Sequence, residues 1–126
     1  MRAKFVNENI NNIFKPKSRE DIIRDLSALS KDELGEQLIK ASKQGLTNIV
    51  QWIIDAGVDV NAKDNVGRTA LMWASCNGYK DIVKMLLNAD ADVNIKDKDG
   101  WTAVMTASYN EHKDLVELLK KYGATR

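Results

Sequence analysis

Two residues in this chain of 126 are the usual carriers of nucleophilic or metal chemistry, Cys76 and His112, and each type occurs once. A thiol beside an imidazole would make a nucleophile and its base. The acids that would complete a Ser/His/Asp or Cys/His set are instead spread over turns and exposed helix faces. Zinc would have to rely on carboxylates, and no ligand spacing suggests such a site. No G-x-G-x-x-G or G-x-x-x-x-G-K-[ST] string occurs to cradle a phosphate. No catalytic residue, metal or cofactor is therefore expected, and Cys76 reads as a small, partly exposed residue before a glycine.

The bulk properties narrow the class further. There are 19 basic and 18 acidic residues, a formal net charge of +1. A general nucleic-acid binder would carry a clear basic excess. One cysteine excludes an intrachain disulfide and suits a reducing compartment, so a cytoplasmic protein is expected. No apolar run approaches the length of a membrane span. The N-terminal "MRAKFVNENINNIF" has no continuous apolar stretch, so no secretory signal is read there.

What must position any functional group is a repeat. "DVNAKDNVGRTALMWAS" (Asp59 to Ser75) returns as "DVNIKDKDGWTAVMTAS" (Asp92 to Ser108). Gly67 to Gly100 is 33 residues, and so is Asn61 to Asn94. Ala41, Ala74 and Ala107 keep the same step, as do Ile49, Ile82 and Leu115. A period of this size means stacked units, each unable to bury its apolar face alone. In the middle unit Leu71, Ala74 and Ser75 form one helical stripe, which Asn77-Gly78 ends. Ile82, Val83, Leu86 and Leu87 form a second, and "DADADVNIKDKDG" follows, full of turn formers. One unit is thus helix, turn, helix and a projecting loop.

"GRTALMWASCNGYKDIVKMLLNADADVNIKD" (Gly67 to Asp97) and "GWTAVMTASYNEHKDLVELLKKYGA" (Gly100 to Ala124) resemble the ankyrin-repeat family, and "LIKASKQGLTNIVQWIIDAGVDVNAKD" (Leu38 to Asp64) is a first copy. The resemblance covers about three quarters of the chain. It implies an all-α solenoid of stacked helix-turn-helix units with short projecting loops. The family's Thr-Pro-Leu-His reads Thr69-Ala70-Leu71-Met72 and Thr102-Ala103-Val104-Met105 here. Glu111 stands where a glycine is usual, at a cost of about 1 kcal/mol if the backbone there is left-handed.

The expected division is an N-terminal arm and helical cap over 1–33, then three repeats at 34–64, 65–97 and 98–126. Ser18 and Asp21 open a helix expected from Arg19 to Leu29, and Ser30 with Glu33 makes a capping box. Ile22, Ile23 and Leu26 should bury against the first repeat. Second-helix charges rise along the array: none over Leu46–Ile54, three over Tyr79–Leu87, five over His112–Lys121. A terminal repeat needs such a polar outer face. Val6, Ile10, Ile13 and Phe14 could form a small apolar face in the arm.

Function is then expected on a surface. The resemblance implies a concave groove lined by loop tips and first helices. The matching loop positions are Asn65, Val66 and Arg68, then Lys98, Asp99 and Trp101. Trp73, Asn77, Thr106, Tyr109 and Asn110 continue that face from the first helices. Two Trp, one Tyr and one Arg make a plausible hot-spot composition. The expected partner is another protein, with neither nucleic acid nor membrane involved, and the chain alone is expected to be a monomer. An alternative is a stoichiometric inhibitor or regulator of an enzyme; a nucleic-acid binder or an enzyme ranks lower. Replacing Arg68 and Trp101 is expected to weaken binding at near-native stability. His112 is read as a structural hydrogen-bonding residue, Trp52 as packing, and Asn61 and Asn94 as turn braces.

Overall fold

A computed structural model describes residues 18–124 of the protein. The apolar arm positions Val6, Ile10, Ile13 and Phe14 lie outside the described residues. Seven helices follow in order: α1 (Arg19–Ser27), α2 (Lys31–Gln44), α3 (Thr47–Asp55), α4 (Ala70–Asn77), α5 (Lys80–Asn88), α6 (Ala103–Tyr109) and α7 (Lys113–Lys121). The helices α2, α4 and α6 pack side by side as one layer. Behind them α1 packs on α3 and α3 on α5, while each of α3, α5 and α7 also packs on the first helix of its own unit. The fold is an all-α repeat array, as the periodicity requires.

The boundaries follow from local chemistry. Ser30 accepts the Glu33 N–H at 3.2 Å, and the Glu33 carboxylate accepts the Ser30 N–H at 3.0 Å, closing the capping box that opens α2. The hydroxyls of Thr69 and Thr102 accept the N–H groups of Met72 and Met105 and open α4 and α6. Those threonines are buried, so one side chain both caps a helix and fills the core. Gly45 and Gly78 end α2 and α4 in the left-handed region, at φ 73° and 77°. Each also lies under a ring of the following unit. A Cβ on Gly45 would meet the Tyr79 ring at 2.9 Å, and one on Gly78 would meet His112 at 2.7 Å. Glu111 does adopt the left-handed backbone, at φ 63°.

The two stripes read from the middle unit all face inward: Leu71, Ala74, Ser75, Ile82, Val83, Leu86 and Leu87 are buried. Full burial of each aliphatic side chain contributes about 1.5–3 kcal/mol. Trp52 is half-buried against the same core.

The N-terminal helix differs from expectation in extent and placement. It stops at Ser27, with Ala28 as its C-cap. It packs on α3, the second helix of the first unit. Leu26 is buried and Ile22 packs half-buried against the core, while Ile23 stays half-exposed outside that cluster. The reason lies in the two helices of the first unit. The outer residues of α3 include Ile49 and Trp52, which need a cover. Those of α2 include Glu33, Glu36 and Gln44, all exposed, so water suffices. The boundary expected at 33/34 falls inside α2. At the other end Lys113, Asp114, Glu117, Lys120 and Lys121 on α7 are all exposed. Among the described residues, no helix is long and apolar enough to cross a membrane.

Candidate functional site

Two aspartates build the projecting loops. The Oδ1 of Asp64 accepts the N–H groups of Val66 and Arg68 at 3.0 and 2.9 Å, and its Oδ2 accepts the Trp73 indole N–H at 2.9 Å. Asp97 repeats the device one unit on. Its Oδ1 accepts the N–H groups of Asp99 and Trp101, both at 2.9 Å, and its Oδ2 accepts Arg68 Nε at 3.2 Å. The backbone closes each turn, Asp64 N–H to Arg68 C=O and Asp97 N–H to Trp101 C=O. Gly67 and Gly100 supply the positive φ that such a turn needs. Burial is the largest single influence and pushes both carboxyls up, but the backbone N–H bonds and the neighbouring side chains together outweigh it. The Trp73 indole at Asp64 and the Arg68 guanidinium at Asp97 add to them, and both acids end below the ordinary carboxylate range. Neither acid figures among the expected site residues. The signal was present, because Asp64 and Asp97 stand 33 apart.

These loops join the first helices in one continuous cluster. Lys43 Nζ lies 4.4 Å from the centre of the Trp73 ring, and the Arg68 guanidinium carbon lies 4.9 Å from it. Two cations on one indole favour a fixed orientation for that ring. Arg68 in turn reaches Asp97, whose side chain is only 2% exposed. The Lys98 N–H donates to Val66 C=O at 3.1 Å and ties the first loop tip to the second. Asn77 donates to Lys43 C=O at 3.2 Å, and Asn110 to Thr106 C=O at 2.9 Å with Cys76 Sγ at 3.6 Å. In the last unit Trp101 and Tyr109 meet edge to face, with centroids 5.5 Å apart. Tyr109 is 76% exposed and Val66 51%, the two large apolar side chains of this face that water reaches most.

Most of the expected site residues are thus brought together, but not on equal terms. Asn65, Val66, Asn77, Lys98, Asp99, Tyr109 and Asn110 are exposed, and Arg68, Trp73 and Trp101 are partly covered. Thr106 is a correction: it is 4% exposed, and its hydroxyl donates to Thr102 C=O at 3.0 Å. Its register matches Trp73, but a short side chain there stays inside. Arg68 is anchored to a buried carboxylate, so its removal costs stability, against the expectation of near-native folding.

The remaining polar residues bind the units to one another. His112 Nε2 lies 3.0 Å from Cys76 C=O, the structural bond expected of it. Asn61 accepts the Asp92 N–H at 2.8 Å, and Asn94 donates to Gly123 C=O at 3.2 Å. These asparagines brace the next unit rather than their own turns. Asp59 and Asp92 satisfy the N–H groups of Asn61 and Asn94 locally. Among the described residues no group of three or more His, Cys, Asp or Glu is placed to hold a metal ion.

No curated protein matches the chain significantly. A family model for ankyrin repeats matches residues 37–125 as three copies. Ankyrin repeats are generally protein–protein interaction modules, and the family is generally non-enzymatic. The periodicity, the stacked helix pairs, the aspartate-pinned loops and this match agree: the chain belongs to the ankyrin-repeat family.

Proposed function

We propose that this chain is a non-catalytic binding module that docks a partner protein in the groove between its loop tips and its first helices. The observation that carries this reading is the open aromatic corner of the last unit. Tyr109 stands 76% exposed, edge-on to Trp101. Neither ring belongs to the buried core. An exposed aromatic pair held on a rigid frame offers contact area at small ordering cost. The neighbouring residues support rigidity, because Asp64, Trp73, Arg68 and Asp97 are already joined by hydrogen bonds. Residues 1–33 act as arm and cap, the three units at 34–64, 65–97 and 98–126 carry the face, and the protein works as a monomer inside the cell. Affinity capture from the native host, followed by calorimetric titration of wild type and Tyr109→Ala, tests the reading. Loss of about 2 kcal/mol of affinity at unchanged stability supports it. Unchanged affinity moves the site off this face.

A further inference from the structure

Residues 33 apart share one register along the first helices and loops, and these rows change character along the array. The row of Trp73 reads Lys40, Trp73, Thr106, and the row of Tyr109 reads Lys43, Cys76, Tyr109. The row of Trp101 reads Gly35, Arg68, Trp101. The first unit therefore contributes cations and the last unit aromatic rings. Lys40 and Lys43 are exposed, and among the described residues neither makes a direct ion pair, although the charge of Lys43 is near enough to Asp64 to help hold that carboxyl below its ordinary range. Lys43 is steadied over the Trp73 ring. Arg68, between them and the aromatic corner, already has its charge matched by Asp97. Glu36 stands one helical turn before Lys40. At the far end Lys98 and Asp99 carry opposite charges side by side, which leaves no net attraction for an acid.

We propose that the groove takes an extended peptide segment of the partner, with an acidic side chain at Lys40 and Lys43 and an aromatic or aliphatic one at Trp101 and Tyr109. This rests on the groove being the docking face. Adjacent packed helices are about 8–10 Å apart, so the Lys43 and Tyr109 registers lie about 16–20 Å apart. An extended chain rises about 3.3 Å per residue. The acid and the apolar anchor of the partner are then about five to six residues apart. The charge at one end steers approach and sets direction, and the rings at the other hold the bound segment.

A random library of peptides about twelve residues long, enough to span that distance, is selected on the full chain. Enriched peptides are titrated against wild type, Lys40→Gln with Lys43→Gln, Tyr109→Ala, and Lys84→Ala on the exposed side of α5. All four positions are exposed, and circular dichroism checks each fold. Enriched peptides should share an acid and an aromatic or aliphatic residue at the stated spacing. The lysine pair and Tyr109 variants should each weaken binding about tenfold or more, and the lysine pair should also flatten its salt dependence. Enriched peptides without an acid, an affinity unchanged in the lysine pair, or an empty selection would overturn the proposal. Binding that ignores both groove variants but falls with Lys84→Ala would instead overturn the groove as the docking face.

Discussion

At one shared register the middle unit holds Arg68 and the last unit Trp101, and their surroundings differ more than their backbones do. Asp64 and Asp97 pin the two loops with the same pair of N–H bonds. Yet Arg68 Nε sits 3.2 Å from a buried carboxylate, whereas Trp101 forms a T-shaped ring pair with the exposed Tyr109. Gly78 and Glu111 differ in the same way. A ring of the following unit leans on Gly78, whereas Glu111 is exposed. The same position is thus structural where a following unit stands on it and open to other use where its side chain is exposed.

Gly78→Ala tests this most severely. The new Cβ would sit 2.7 Å from the His112 ring, which is itself held at Cys76 C=O, on a backbone at φ 77°. Left-handed strain and overpacking together should cost about 2–4 kcal/mol, read from urea unfolding. A cost well below 1 kcal/mol would show that the ring gives way freely, and the contrast with Glu111 would collapse.

Arg68→Ala comes next, against Tyr109→Ala. Removing the arginine leaves Asp97 without its ionic partner, at about 1.5–3 kcal/mol. Truncating Tyr109 should change stability by less than about 0.5 kcal/mol. Acid sharpens the pair. Asp64 and Asp97 have folded pKa values below their unfolded ones. Their contribution is therefore present above the unfolded value and lost as pH falls through the folded one. Thermal melts from neutral pH to below about pH 4 should show wild type losing stability in that window. Asp97→Asn should lose less there, so the gap between the two narrows. A gap that stays constant with pH would mean that the charge of Asp97 contributes nothing.

The array, its phase and a few helix ends were legible because they depend on local signals: Ser18 with Asp21, Ser30 with Glu33, and Gly78. Burial of the apolar stripes followed from spacing alone. The site was less legible because its contacts are not local. Asp64 reads as a turn former, and only the fold brings the Trp73 indole to its second oxygen. Arg68 reads as a loop-tip cation, and only stacking sets Asp97 beside it. Thr106 was misplaced because register gives a direction and not a reach. The seat of α1 on α3 depended on which helix of the first unit lacked a polar outer face, a question two helices answer jointly.

Ser75 and Ser108 make a milder contrast. The Ser75 hydroxyl is fully buried with no hydrogen-bond partner among the described residues, as is that of Ser42, while Ser108 is exposed. Ser75→Ala should stabilise by about 1 kcal/mol, since an unpaired buried hydroxyl is removed. Ser108→Ala, also near the end of a first helix, controls for helix propensity and should stay within about 0.5 kcal/mol. Equal gains in the two urea midpoints would mean that propensity alone acts.

The smallest effect is expected at the strained residues themselves. Glu111 and Asp90 both hold the left-handed backbone, at φ 63° and 65°. The other units use Gly45 and Gly78 in the register of Glu111, and Gly57 and Gly123 in that of Asp90. Glycine there removes the steric penalty of a side chain but adds freedom to the unfolded chain, and the two oppose each other. For glutamate the penalty is the larger of the two, so Glu111→Gly should stabilise by about 0.5–1 kcal/mol. Aspartate tolerates this region better, because its short side chain bonds locally. Asp90→Gly should therefore gain less, or nothing. Because Glu111 is exposed, its glycine variant acts chiefly on backbone strain. Matched urea midpoints of the two variants and wild type decide the order. If Glu111→Gly lowers the midpoint instead, the carboxylate contributes something its exposure hides, and the last unit is less free than its surface suggests.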